Sequence, residues 1–371
     1  MKFIINVAQL SKALDNVQGV VDKRNITPIL SNVRISADSN KLIINATDMD
    51  LDIVEMLNIE VIENGSTTAP AVLLSETIKR LPSDSNVEIS LVEDKLHIIC
   101  GKFKGTLSTL PVEDFPIIQT NDLPSTLKIK KEDFKQLMEN TKFAISTDET
   151  RYYLNGVYLH TTLNTNESPV LRAVSTDGHR LALSECGFNS DVKIEEGIII
   201  PKKAVEEISK LITKVSEEEL EISCNASRIC FKFANIILTS KLIDGNFPNY
   251  DRVIPKDNDK ILEVNRSAFI KAIDLVSMYS DDKLKFIKLN LDDNKMVLSA
   301  DKNVGDANQE LELARSIAPM SICFNAKYIK EICELIQTEN VLLQLQNETS
   351  PALVKKVGDT SELFVIMPMR L

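Results

Sequence analysis

Apolar positions recur in one arrangement three times along the chain. A short apolar strand, Phe3-Ile4-Ile5, runs into Leu10, Leu14 and Val17, spaced i, i+4 and i+7 as one stripe of an amphipathic helix. Leu127-Lys128-Ile129 followed by Phe134, Met138 and Thr141 repeats the arrangement, and Leu262-Glu263-Val264 followed by Phe269, Ile273 and Val276 repeats it again. A second stripe keeps nearly the same frame: Leu74, Ile78, Leu81; then Ala204, Ile208, Leu211; then Tyr328, Ile332, Leu335. Any single amphipathic helix resembles another. Two in matching order, each followed by strand-like runs, indicate an internal threefold repeat.

Between the helical stripes of the first repeat lie runs of strand character at 33–37, 41–46 and 51–56, divided by Asp38-Ser39-Asn40 and Asp48-Met49-Asp50. This pattern predicts an antiparallel meander. The second helix, over 73–81, stops before Pro82, and strands follow at 87–91, 95–100 and 105–110. Each third therefore reads as a doubled βαβββ unit. In the middle third, Thr176-Asp177-Gly178-His179 separates two strand-like runs, and Asp-Gly predicts a tight hairpin with His179 at its tip. Polar, proline-marked stretches at 119–125 and 255–260 divide the chain into domains over 1–123, 124–256 and 257–371. The fold class is α+β, three similar domains of antiparallel sheet with helices on one side.

A chain of 371 residues, 43% hydrophobic, is long enough for two or three cores. Its net charge of -11 argues against coating nucleic acid with the whole surface, though not against a local basic face. The six cysteines show no CxxC spacing, which points to buried, reduced thiols and a cytoplasmic setting; Cys224 and Cys230 are expected on one strand face. The three histidines are scattered, so neither a metal nor a cofactor is expected. No apolar run is long enough for a membrane span, and the apolar start is too short for a signal peptide.

No phosphate cradle or nucleophile motif is visible. Asp177 and His179 raise the possibility of a hydrolytic pair, but a hairpin turn accounts for both residues without chemistry. What remains is cationic charge on every helix: Lys12; Lys79 and Arg80; Lys131, Lys135 and Lys142; Lys202, Lys203, Lys210 and Lys214; Arg266 and Lys271; Lys327 and Lys330. Singly these are wetted helix faces, compatible with a repeat scaffold that has no nucleic-acid role. Taken together in an acidic protein, they suggest a common positive face for phosphates without sequence preference. Few aromatics accompany them, so stacking on single-stranded bases is not expected.

Several motifs have a familiar order: Leu107-Ser108-Thr109-Leu110-Pro111 with Asp114-Phe115-Pro116; Arg151-Tyr152-Tyr153-Leu154-Asn155-Gly156; Thr176-Asp177-Gly178-His179-Arg180-Leu181-Ala182; Ser240-Lys241-Leu242-Ile243-Asp244-Gly245 with Phe247-Pro248; and Val365-Ile366-Met367-Pro368-Met369-Arg370-Leu371. In these the chain resembles, over its full length, the bacterial sliding clamp family, the beta subunits of DNA polymerase III. The resemblance implies a non-enzymatic homodimer that closes a ring, with helices lining the hole and sheets outside. The ring would encircle double-stranded DNA and tether the replicative polymerase catalytic subunit, the clamp loader and other proteins carrying a clamp-binding motif.

By motif, the family's peptide pocket maps onto Leu154, Thr176, Gly178, His179, Arg180, Leu181, Pro248, Val253, Val365 and Met367, with Arg252 facing an acidic flank. A neighbouring subsite maps onto Arg151, Tyr153, Tyr328, Pro368, Met369 and Arg370. DNA contacts implied by the resemblance and the helix charges are Lys12, Arg24, Arg80, Tyr152, Tyr153, Lys202, Lys203 and Lys210. Where a family member has a basic pair near the second helix, this chain has Val72 and Leu73. The dimer edge is expected at Met278 and Tyr279, facing the strand near Lys102, Lys104 and Thr106.

Overall fold

In the computed structural model, residues 1–21, 27–118, 123, 125–187, 194, 196–280, 285–302 and 305–369 are described. The first third runs β1 (Lys2–Asn6), α1 (Val7–Val17), β2 (Asn32–Asp38), β3 (Lys41–Thr47), β4 (Leu51–Asn58), β5 (Glu60–Glu63), β6 (Gly65–Pro70), α2 (Ala71–Lys79), β7 (Asn86–Val92), β8 (Lys95–Cys100) and β9 (Phe103–Ser108). The second runs β10 (Ser125–Lys130), α3 (Lys131–Lys142), β11 (Gly156–Leu163), β12 (Pro169–Thr176), β13 (Arg180–Gly187), β14 (Ile198–Pro201), α4 (Lys202–Ile212), β15 (Glu219–Cys224), β16 (Arg228–Phe233) and β17 (Ile236–Lys241). The third runs β18 (Lys260–Asn265), α5 (Arg266–Ser277), β19 (Phe286–Lys302), β20 (Gly305–Asn325), α6 (Ala326–Leu335), β21 (Asn340–Leu345), β22 (Ala352–Lys356) and β23 (Glu362–Ile366).

The repeated strand-to-helix passage has a local cause. Asn6, Asn265 and Asn325 each end a strand in extended conformation, and each side chain accepts backbone N–H groups of the following helix. The apolar stripes then turn inward: Leu10 and Leu14, Phe134 and Met138, Phe269 and Ile273 are all buried. Ser39 and Asn40 adopt positive φ at the turn between β2 and β3, as the polar triplet there predicts.

Some elements differ from expectation. The strands β5 and β6 carry Glu60, Glu63, Ser66, Thr67 and Thr68 and show no apolar alternation, yet they pair with β1 and β2. The helix expected over 73–81 begins and ends two residues earlier because Pro70 stands at its N-terminus. The last strand expected over 105–110 is also shifted, since Gly101 at φ 57° turns the chain so that Phe103 faces Cys100. In the third repeat, separate strands are fused. The strand β19 continues past Asp292 and Asp293 through a register irregularity, and β20 returns alongside it. Cys224 and Cys230 lie on adjacent strands rather than on one. Cys224 pairs with Ile229, which places Cys230 on the opposite face.

Among the described residues all strand pairs are antiparallel, in two eight-stranded sheets, one five-stranded sheet and the β19–β20 pair. The eight-stranded sheets cross repeat boundaries. In one, β4 of the first repeat pairs with β17 of the second, Ile53 opposite Leu238. In the other, β13 of the second repeat pairs with β23 of the third, Leu181 opposite Val365. The chain therefore divides into two compact units that cut through the middle repeat, one holding Met1–Lys135 with Lys203–Ile243, the other including Asp244–Leu371.

At the β4–β17 join, Asp52 is 3% exposed and burial pushes its carboxyl up to about 7, against hydrogen bonds from Asn45 and with Asp48 adding repulsion. Asn45 Oδ1 is buried without a hydrogen-bond partner. A raised acid favours folding while protonated. That contribution is full below the ordinary value of 3.8 and is lost as pH rises through about 7. Asp52→Asn is neutral and carries donors for Asn45. It is expected to raise the melting temperature at pH 8 by several degrees and to change it little at pH 4, as measured by calorimetry; an equal shift at both pH values would contradict this.

Candidate functional site

The hairpin between β12 and β13 forms as predicted. Gly178 sits at φ 87°, Asp177 Oδ1 accepts from the backbone N–H of His179 and Arg180, and Thr176 Oγ1 donates to the Arg180 carbonyl. A Cβ at Gly178 would lie 2.7 Å from Arg151 Nη1, so glycine also admits the Arg151 side chain, whose Nε donates to Asp148 Oδ2 at 2.9 Å. Asp177 spends its oxygens on this turn and on Arg180 Nε. The His179 ring stacks instead on Tyr328, with centroids 6.4 Å apart. The two residues are parts of a turn, with no geometry of a hydrolytic pair.

Arg180 is 8% exposed, and all three of its guanidinium nitrogens donate to the protein. Its guanidinium pairs with Asp177 and Glu331, donates to the Phe143 carbonyl, and lies 4.8 Å above the Phe143 ring and 4.2 Å above the Tyr328 ring. It ties α3's end, the hairpin and α6 together. Glu331 and Phe143 carry no motif of their own; only the spacing of Glu331 three residues after Tyr328, on one helix face, could have pointed to it.

Beside this hub, Leu181 and Val365 are 1% exposed and Leu154 4%. They form a floor. Leu181 and Val365 pack with Val174, Leu183, Leu353 and Tyr250, and Phe247 and Ile254 rest on the cluster. The exposed rim is made by Gly178, His179, Pro248, Arg252 and Val253, with Met367, Pro368 and Met369 half-buried. The tail is fixed by the Met367 N–H to the His179 carbonyl and by the Met369 N–H to the Cys323 carbonyl. Tyr153 packs edge-on against Tyr152. Apolar floor, adaptable methionine and one rim arginine make a surface suited to a short apolar peptide.

Of the cationic residues, Lys12 and Arg80 are exposed, Arg80 lying 3.2 Å from Glu76. Lys202 is half-buried at the start of α4. Lys203 is held by Asp48 and the Val20 carbonyl, and Lys210 by Glu207 at 2.6 Å. A groove of about 390 Å³ between α1 and α2 is lined by Lys12, Asp15, Lys79 and Lys214 among others. Arg24 and Arg370 lie outside the described residues. Among the described residues no cluster of metal-ligating side chains occurs, and no helix is long and apolar enough to cross a membrane.

Among the described sheet edges, two carry charges of opposite sign. The edge strand β9 closes the five-stranded sheet and carries exposed Lys102, Phe103, Lys104 and Thr106 at or beside it. The first part of β20 carries exposed Asp306, Glu310 and Glu312, and Met278 and Tyr279 at the end of α5 are 77% and 45% exposed.

The N-terminal, central and C-terminal domain profiles of the DNA polymerase III beta subunit match residues 1–119, 128–249 and 251–370. The chain belongs to the bacterial DNA polymerase III beta subunit family. The beta sliding clamp of Caulobacter vibrioides is 38% identical over 374 residues, with 100% of both chains covered, and that of Pseudomonas putida is 34% identical over 375 residues, again with 100% of both covered. A sliding clamp of Bartonella birtlesii, bound to griselimycin, superimposes with a TM-score of 0.97 at 35% identity over 100% of both chains. The Caulobacter crescentus clamp does so at 0.95 and 38% identity, with the same coverage. The chain is thus a DNA sliding clamp, a processivity subunit without catalysis of its own, as its three-domain α+β fold also indicates. The hydrolase and bare-scaffold readings have no support.

Removing the Arg180 charge leaves Asp177 and Glu331 without their buried partner. Arg180→Met is expected to lower stability by about 3–5 kcal/mol, read as an earlier denaturant transition; an unchanged transition would show the hub to be dispensable.

Proposed function

We propose that this clamp subunit acts as a head-to-tail homodimer, closed into a ring around double-stranded DNA, and that it recruits partners through the rim and floor described above. The observation that carries this is the way the repeats are joined. The third strand of a repeat's first half, β4 or β13, pairs with the final strand of the next repeat, β17 or β23. The corresponding strands, each hydrogen-bonded on one side only, to its hairpin neighbour, are the 305–312 part of β20 and β9. Joining them in two copies would use the same kind of contact a third time, with Lys102 and Lys104 opposite Asp306, Glu310 and Glu312, and with Met278 and Tyr279 beside them. A cleft of about 350 Å³ bordered by Met278, Ser280 and Lys285 offers room for a partner side chain.

Within that ring, Lys12, Arg24, Arg80, Tyr152, Tyr153, Lys202, Lys203 and Lys210 would contact phosphate. Support comes from exposed or singly paired cations in a protein of net charge -11. Carboxylates already paired to Lys203 and Lys210 keep such contacts weak enough for sliding. The peptide surface comprises Leu154, Thr176, Gly178, His179, Leu181, Pro248, Arg252, Val253, Val365 and Met367, with Arg151, Tyr153, Tyr328, Pro368, Met369 and Arg370 alongside; Arg180 supports them from below. Its partners would be the replicative polymerase catalytic subunit, the clamp loader and other motif-bearing proteins. The repeat boundaries proposed are 123/124 and 256/257. A cytoplasmic location is supported by six cysteines that are all unbridged.

Holding by topology predicts slow loss from nicked circular DNA after loading and rapid loss once that DNA is linearised. It also predicts weak binding to short duplex, with a log–log salt slope of about 0.9 per neutralised phosphate. Equal retention times on circular and linear DNA would contradict encirclement.

A further inference from the structure

The segment carrying Pro248, Arg252 and Val253 belongs to no sheet, and how it is held bears on the peptide surface. One face of the β11–β13 sheet carries a polar ladder: His160 on β11 is directly opposite Arg172 on β12, which is directly opposite Glu185 on β13. Arg172 Nε donates to Glu185 Oε2 at 2.9 Å. The ladder ends on Tyr250, whose hydroxyl lies 2.9 Å from His160 Nε2 and 3.1 Å from Arg172 Nη1. Tyr250 begins the single helical turn Tyr250–Arg252 and is 7% exposed. Its ring packs in the cluster that holds Leu181 and Val365, and Phe247 stacks on Tyr158 at 4.9 Å and 4°.

Arginine can only donate, so the Tyr250 oxygen accepts from Arg172 and its own O–H is left to donate. The acceptor within reach is His160 Nε2, which must then be unprotonated. A protonated His160 would remove the acceptor for that O–H and set a second positive charge beside Arg172, which weakens the seat of the segment.

We propose that His160 is a positioning residue for partner-peptide binding: through Tyr250 it fixes the rim of Pro248, Arg252 and Val253 above the floor of Leu181 and Val365, and it does so only in its neutral form. This rests on the peptide-surface reading given above. The groups facing the imidazole are Arg172 from β12, Tyr250 and Asp251 from the helical turn, and Tyr158 from its own strand, with Glu185 behind Arg172. Burial, and then the Arg172 charge, hold His160 below its ordinary value of 6.5, with Asp251 opposing. The neutral form is therefore favoured by folding; its contribution is complete above 6.5 and is lost as pH falls through the lower native value.

The test measures the affinity of the full-length dimer for the replicative polymerase catalytic subunit by surface plasmon resonance at pH 8 and in steps down to about pH 4.5. Tyr250→Phe and His160→Leu are expected to weaken binding about 3- to 10-fold at pH 8, the worth of one or two hydrogen bonds. His160→Gln, whose amide oxygen accepts where Nε2 does, restores it. Wild type loses more affinity along that series than His160→Gln does; a merely structural histidine would not separate the two. Met367→Ala checks the surface itself. If it leaves affinity unchanged, the peptide-surface reading fails. If it weakens binding while Tyr250→Phe and His160→Leu do not, or if wild type and His160→Gln share one pH profile, the positioning role of His160 is overturned.

Discussion

Antiparallel pairing across repeat boundaries is the interaction on which the rest of this molecule depends. A repeat of this kind does not end in a closed sheet. It ends in a strand whose outer N–H and C=O groups need a partner, and the next repeat supplies one. The joins β4–β17 and β13–β23 satisfy two such edges inside the chain. The same rule leaves β9 and the start of β20 as complementary ends, and a second copy is the simplest partner for both.

The proposed peptide surface follows from one of these joins. Because β13 pairs with β23, the hairpin tip at His179 and the tail at Met367 are hydrogen-bonded neighbours, and Leu181 lies against Val365. An apolar floor arises where two repeats meet, and side chains from both surround it. Arg180 stiffens this place by engaging two carboxylates, a carbonyl and two rings, and the Tyr250 segment packs against it. Function here is geometry and adhesion. The only buried acid with a strongly altered carboxyl, Asp52 among the described residues, sits in a sheet join and not in a cleft.

Much of the fold was legible in the chain because its signals are local. Helix stripes of period i, i+4, i+7 and Asp-Gly at 177–178 each determine their own neighbourhood. The strands β5 and β6 were not legible, since Glu60, Glu63 and the Ser66-Thr67-Thr68 run take strand form only by pairing with distant β1 and β2. The fusion of strands in the third repeat was hidden for the opposite reason: Asp292-Asp293-Asn294 has the composition of a turn, yet pairing with β20 resumes on both sides of it through shifts of register. At the site, residues in motifs could be named from the family resemblance. The partners that immobilise them, Glu331, Phe143, His160 and Arg172, could not, because their roles exist only once strands and helices remote in sequence are side by side.

Backbone pairing between copies is best followed at the amides themselves. Hydrogen exchange of the full-length chain, measured over a dilution series, should show slow exchange of outward amides in both Phe103–Ser108 and the 305–312 stretch at high concentration, lost together on dilution while the β4–β17 and β13–β23 amides stay slow. Fast exchange in either edge at every concentration, or protection that ignores dilution, would contradict a ring closed by these two edges.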